Sequence, residues 1–227
     1  MGTVAGAAIF MNGLVAYIDA ANVKSYSGSG VTANSLTSNL LATLTNDVGF
    51  GTTNLGSFNF DGTNDFINVP IDAGLFTTEG TMIIWLKNDE ATPASSLNTG
   101  FMGFGPIGDA GTNDHYPWVD GFAYLGTFRN NRIGPITLSA SVIRSNIHMV
   151  CITSNSSEWK LYQNAVLQYT TSSSGSVTMN NTRIGYSVSQ LYNYKGKVYC
   201  FILYNRALVQ QEILQHYRAF RGRFGIQ

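Results

Sequence analysis

The residues of this chain best equipped for chemistry are side-chain oxygens, and they gather in two places. In "SFNFDGTNDFINVP" (57–70), Asp61 and Asp65 bracket Gly62-Thr63-Asn64, and further on Asp109, Asn113, Asp114 and Asp120 fall within one stretch. Hard oxygen donors of this kind suit calcium. Asp and Asn in turns also bond their own backbone, and EF-hand ligand spacing is absent. No metal is assigned, and calcium is the one cofactor left open.

A third group is aromatic. "NDHYPWVDGFAY" supplies His115, Tyr116, Trp118, Asp120 and Tyr124 in an expected loop leading into a strand. Sugar binding needs an aromatic platform and a few fixed polar groups, so these five are the candidate glycan-binding residues. The competing reading makes Tyr116 and Trp118 packing anchors for a long insertion, with Asp120-Gly121 as its turn. Trp85 and Trp159 fall in strands and read as core.

Other chemistry finds little support. Glycoside hydrolysis requires two carboxylates facing each other across a sheet. The glutamates are Glu79, Glu90, Glu158 and Glu212, and only Glu90 has an acidic neighbour within three residues, Asp89, in a turn. The chain therefore reads as a non-enzyme. His115, His148 and His216 are scattered without zinc-ligand spacing, and His148 sits in an apolar run as a core residue. "SYSGSG" (25–30) lacks the lysine of a phosphate loop and reads as a turn. Cys151 and Cys200 each lie within an apolar run and read as buried free thiols.

Net charge is zero and charged residues make up only 11%, so no global field draws the chain to nucleic acid or a membrane. Arg206, Arg218, Arg221 and Arg223 crowd the end, either for an acidic partner or as a charge-compensated helix terminus. "MGTVAGAAIFMN" (1–12) has no basic n-region and too short an apolar run to span a bilayer. It reads as an arm able to pair with a neighbour's sheet edge.

Short apolar or alternating runs separated by Gly, Asn, Ser and Asp point to an all-β chain. "GLVAYID" (13–19), "TMIIWLK" (81–87), "IHMVCIT" (147–153) and "VYCFILY" (198–204) are apolar throughout and are expected mid-sheet, covered on both faces. In 57–70, Phe58 and Phe60 on one strand and Ile67 and Val69 on the next suggest a hairpin with its tip at 61–65. There Gly62 takes a positive φ, and Asp61 and Asn64 bond the turn's N–H groups. "EWKLYQNAVLQYTTS" (158–172) reads as a hairpin about Asn164, although Ala165 stands where a type I′ turn prefers glycine. A C-terminal helix is expected over 208–220, on the spacing of Leu208, Ile213, Leu214, Tyr217 and Phe220. Residues 88–120 form the least regular stretch. No linker signal divides 13–227, so one domain is expected there.

Three phrases carry a resemblance: "GLVAYIDAANVKSYSGSG", "SFNFDGTNDFINVP" and "KGKVYCFILYNRALVQQEILQHYRAFRGRF". In order and spacing they resemble the concanavalin A-like, laminin-G-type jelly rolls, above all the stand-alone versions among structural proteins of tailed bacteriophages. "HYPWVDGFAYLGTF" (115–128) is similar to a phrase of that subset. The resemblance implies a two-sheet antiparallel jelly-roll β-sandwich with the terminal helix across an edge or face. It further implies a non-enzymatic protein of the virion surface, a capsid decoration or a tail or fibre module. Such a protein would meet other virion proteins through its arm and helix. The alternative is a carbohydrate-binding adhesin that recognises host glycans, and a glycoside hydrolase comes last.

Overall fold

A strand that is apolar at every position needs cover on both faces, and this chain supplies a second sheet on one side and a helix on the other. The computed structural model describes residues 9–71, 79–89, 102–104, 114–119, 122–126, 132–137, 146–172, 182–185 and 194–227. In chain order its strands are β1 (Leu14–Asp19), β2 (Thr32–Asn34), β3 (Leu41–Thr45), β4 (Gly49–Gly51), β5 (Ser57–Asp61), β6 (Phe66–Val69), β7 (Gly80–Asn88) and β8 (Met102–Phe104). There follow β9 (Asp114–Val119), β10 (Phe122–Gly126), β11 (Arg132–Thr137), β12 (His148–Ser154), β13 (Trp159–Gln163), β14 (Val166–Thr171), β15 (Thr182–Ile184) and β16 (Lys195–Tyr204). The helix α1 (Gln210–Arg221) comes last.

The first sheet runs β14-β13-β12-β7-β16-β5-β4, with β1 also on β16, and the second runs β11-β10-β9-β8-β15-β6-β3-β2. All pairings are antiparallel. The expected two-sheet antiparallel β-sandwich with one C-terminal helix is what forms.

Alternation divides the first sheet's side chains between two cores. Met82, Ile84 and Leu86 of β7, with Val150 and Ile152 of β12, point inward to meet Ile67 and Val69 of β6 and Ile184 of β15. Ile83 and Trp85, with Met149 and Cys151, point outward to the layer under α1. In β16 a bulge between Val198 and Cys200 inserts Tyr199, which joins Cys200, Ile202 and Tyr204 outside while Phe201 and Leu203 face in. Trp159 lies in the inner core and Trp85 in the outer one, as expected of strand tryptophans. Cys151 and Cys200 are buried free thiols, also as expected.

The helix buries Ile213, His216 and Phe220 on the outer face of this sheet. Trp85 stacks on Tyr217 at 5.7 Å and meets Phe224 at 4.8 Å between ring centroids. Leu208 falls before the helix, which starts after the extended N-cap Val209, and its N–H donates to the Thr81 hydroxyl at 2.8 Å. At the helix start the Glu212 carboxylate accepts from the Val209 N–H at 3.0 Å and from both Arg206 Nη atoms at 2.8 and 2.6 Å. The arm has a place here too: Ile9 and Phe10 pack on the outer core, and the Phe10 carbonyl accepts from the Tyr204 hydroxyl at 2.7 Å. Residues 1–8 lie outside the described residues.

Two strand expectations change. The stretch 13–19 is not mid-sheet: β1 and β5 share one edge of β16, end to end. Among the described residues its other edge meets no strand, and instead Tyr17 donates its N–H to the Ser35 hydroxyl and accepts from the Leu36 N–H. Nor is 57–70 a hairpin, since β5 belongs to the first sheet and β6 to the second. Their apolar faces meet across the core, and 61–65 is the corner that carries the chain from one sheet to the other. The 159–171 hairpin does form, with Asn164 at φ 50 and Ala165 at φ 63, so alanine occupies a left-handed position of a type I′ turn.

His148 and His216 are buried. His148 Nδ1 meets the Asn146 carbonyl at 3.0 Å, and His216 Nε2 meets the Tyr204 hydroxyl at 2.8 Å. Burial pushes each down to about 4 from an ordinary value of 6.5. The unfolded chain therefore takes up protons that the folded one refuses, so stability is complete above about pH 6.5 and falls as the pH drops toward about 4. Each histidine is expected to contribute on the order of 3 kcal/mol to that loss. Melting curves between about pH 7 and about pH 4.5 check it, together with imidazole NMR titrations expected to show both rings neutral at about pH 5.

Candidate functional site

Four of the five candidate glycan-binding residues fall on two neighbouring strands. His115, Tyr116 and Trp118 lie on β9 and Tyr124 on β10, while Asp120 lies outside the described residues. Tyr116 sits opposite Tyr124, and His115 has Leu125 on one side and Met102 of β8 on the other. The register slips between the Val119–Phe122 and Pro117–Ala123 pairs, which leaves Trp118 as the extra residue of a β-bulge.

The expected loop is therefore a corrected reading: 114–119 is a strand, and the irregular stretch 88–120 also contains β8. Pro117 lies beside the bulge, a place where a strand tolerates the loss of an N–H. Its proline and the flanking Asp and Gly gave this segment the look of a loop, while the aromatic spacing was the signal for a strand.

The oxygen cluster at 61–65 is spent on the corner itself. The Thr63 N–H donates to Asp61 Oδ1 at 2.6 Å and the Asp61 N–H donates to Asp65 Oδ2 at 2.9 Å. Gly62 takes φ 86 as expected, but the second capping side chain is Asp65. Asn64 offers its carbonyl instead, to the Asn46 amide at 3.0 Å. Asp65 is buried, and burial pushes its carboxyl upward, with the charges of Asp61 and Asp47 adding to the effect. Of the second cluster, Asp114 opens β9, and Asp109, Asn113 and Asp120 lie outside the described residues. Among the described residues no three His, Cys, Asp or Glu side chains come together to hold a metal.

The remaining charges act mostly as fasteners. Glu158 pairs with Lys160, and Glu212 with Arg206, whose hydrogen bonds hold the Glu212 carboxyl below its ordinary range. Arg223 is the most committed: it reaches Asp19 at 2.8 Å, the Asn54 carbonyl at 2.9 Å and the Gly56 carbonyl at 2.8 Å. Asp19 also accepts from the Ala21 N–H and the Tyr17 hydroxyl. Of the four C-terminal arginines, Arg206 and Arg223 thus pair within the fold, while Arg218 is exposed. Spacing gave no hint of the Arg223–Asp19 pair, because more than 200 residues separate its members.

Residues 61–214 match the laminin-G-type family described as the concanavalin A-like lectin/glucanases superfamily, over more than half of the chain. The chain belongs to that superfamily. No curated protein sequence matches it. Among solved structures it resembles a Trypanosoma rangeli sialidase in complex with the inhibitor DANA, with TM-score 0.66, 15% identity, 96% of this chain covered and 34% of the other. Domain 4 of AbnA, an extracellular arabinanase of Geobacillus stearothermophilus in complex with arabinotriose, matches with TM-score 0.66 and 14% identity over 88% of this chain and 96% of the other. The receptor binding domain of botulinum neurotoxin C/D mosaic serotype matches with TM-score 0.67 and 13% identity over 90% of this chain and 51% of the other. This superfamily member thus spans about a third of the sialidase and half of the toxin domain, and identities this low establish the fold alone.

Two outcomes are expected. Arg223→Ala leaves the Asp19 carboxylate buried without its cation and costs about 3 to 5 kcal/mol, with Arg223→Lys intermediate because it keeps the charge and loses the fork, as read by urea denaturation. Millimolar calcium and its chelation leave the melting temperature unchanged, because the 61–65 oxygens already hold backbone donors.

Proposed function

We propose that this chain is a non-enzymatic binding module carried on the surface of a tailed-phage virion, as a capsid decoration or as part of a tail or fibre. The observation that carries the non-enzymatic reading is the use of five of the nine described carboxylates. Asp19, Glu158 and Glu212 are tied to cations, and Asp61 and Asp65 to turn backbone, so these acids serve the fold. A glycosidase would keep two of its acids facing each other across an open groove. The virion location rests on the resemblance of the three phrases quoted above to phage structural proteins. Contacts with other virion proteins would fall to residues 1–8 of the arm and to the solvent face of α1, where Arg218 is exposed.

A second reading, compatible with the first, makes β9–β10 a surface for host glycans. What favours it is the register that sets Tyr116 against Tyr124 on adjacent strands, with Trp118 displaced by a bulge. The arabinanase domain, similar over 96% of its length and solved in complex with arabinotriose, lends it support.

Purified particles are expected to carry the protein at many ordered positions, and its absence from them would sink the virion reading. On a glycan array the wild type is expected to bind and Trp118→Ala to lose signal. An array blank for both would remove the glycan reading. Glycosidic substrates are expected to remain intact, and turnover of any of them would overturn the non-enzymatic assignment.

A further inference from the structure

At the end of α1 the outer face of the first sheet is left partly open as a cleft of about 470 Å³. Its floor is made by Lys87 of β7 and Lys197 of β16, which are paired directly across the two strands. Like charges in that relation repel each other and destabilise a sheet. Among the described residues neither lysine has an ion-pair partner, and none of those that line the cleft is acidic. The nearest carboxylate along the strand is Asp89, two positions beyond Lys87, and it forms no ion pair with either lysine.

The walls are polar, aromatic and fixed. Asn54 stands in the left-handed region at φ 54, followed by Leu55 at φ 70, a strained pair for residues other than glycine. Arg223 holds the Asn54 carbonyl, and the Asn54 side chain bonds Tyr199. On the opposite wall Asn164, also left-handed, uses its side-chain oxygen to accept the Met149 N–H at 2.9 Å, so its amide NH₂ is left for the cleft it lines. Phe224, half-buried against Trp85 and Tyr199, adds a ring at the rim.

We infer that this cleft is a binding site for an anionic saccharide, whose carboxylate or sulfate group lies between the Lys87 and Lys197 ammonium groups. The negative group removes the repulsion between the lysines. Its ring sits against Phe224, and its hydroxyls take up the amides of Asn54 and Asn164. Both lysines belong to central strands of a sheet buried on both faces, and the asparagine walls are held before any ligand arrives. Binding then has chiefly the two lysine side chains to order. The site is on the other sheet from β9–β10 and does not depend on the glycan reading given there.

The test is calorimetric titration of the whole chain with a galacturonate trimer, a sulfated galactan tetrasaccharide and a neutral galactan oligomer. One or both anionic sugars are expected to bind, more weakly as salt rises, and the neutral one not to bind. Which anionic sugar binds tells carboxylate from sulfate recognition. The double variant Lys87→Gln, Lys197→Gln is expected to lose about tenfold or more in affinity, while Lys24→Gln, at a residue that does not line the cleft, binds as wild type. Each single lysine variant is expected to melt no lower than the wild type, since a repulsion has been removed. Equal binding of the neutral sugar, unchanged affinity in the folded double variant, or no binding of either anionic sugar would overturn the proposal. So would a lowered melting temperature in both single variants, which would show the lysines to be structural.

Discussion

The fold depends on the burial of one sheet from both sides. β7, β12 and β16 carry apolar side chains in both directions, so each needs the second sheet within and α1 without. Neither cover suffices alone: with α1 removed, Trp85, Cys200, Ile202 and Tyr204 would face water as one continuous apolar strip. The charged contacts are placed accordingly. Arg206 and Glu212 fasten the start of the helix, and Arg223 fastens the turn after its end to Asp19 and to the 54–56 backbone. An amphipathic helix of twelve residues has little stability of its own, so its order derives from the sheet it covers.

The sequence pattern showed which residues face a core, but not which sheet they belong to. Continuous apolar runs located β7, β12 and β16, and alternation gave Phe58 and Phe60 a common face. Yet alternation reads the same for two strands side by side and for two strands facing each other. Hence the corner at 61–65 looked like a hairpin, and the correct local chemistry of Asp61 and Gly62 could not distinguish them. β1 misled for a related reason: cover on both faces makes a strand apolar whether or not both its edges are paired. Short-range features fared better, since the Asn164 hairpin and α1 depend on residues only a few positions apart.

The candidate sites divide along the same line. The aromatic phrase at 115–124 was visible because its members are close in sequence, although its proline and flanking glycine disguised the strands. Lys87 and Lys197 were not visible, being brought together only by the pairing of β7 with β16. Arg223 and Asp19 likewise join distant parts of the chain. A net charge of zero concealed both pairs, because it sums over the chain and says nothing of where charge is left unpaired.

The lysine pair also bears on why the outer core stops where it does. β7 is buried outward at Ile83 and Trp85, and the next outward residue is Lys87. β16, read back toward its start, passes from Cys200 and Tyr199 to Lys197 at the same level. Two strands thus turn from apolar to cationic in register, at the line where Phe224 ends the aromatic layer. A lysine on one strand would suffice to mark the edge of a core and would pair readily with an acid opposite. Two lysines opposite each other repel, and a sheet this well buried tolerates the repulsion without needing it. Solubility alone would be served as well by a Lys–Glu pair at lower cost. The arrangement is better accounted for by a third party of negative charge, and the asparagine walls line the same cleft with amide groups able to meet hydroxyls.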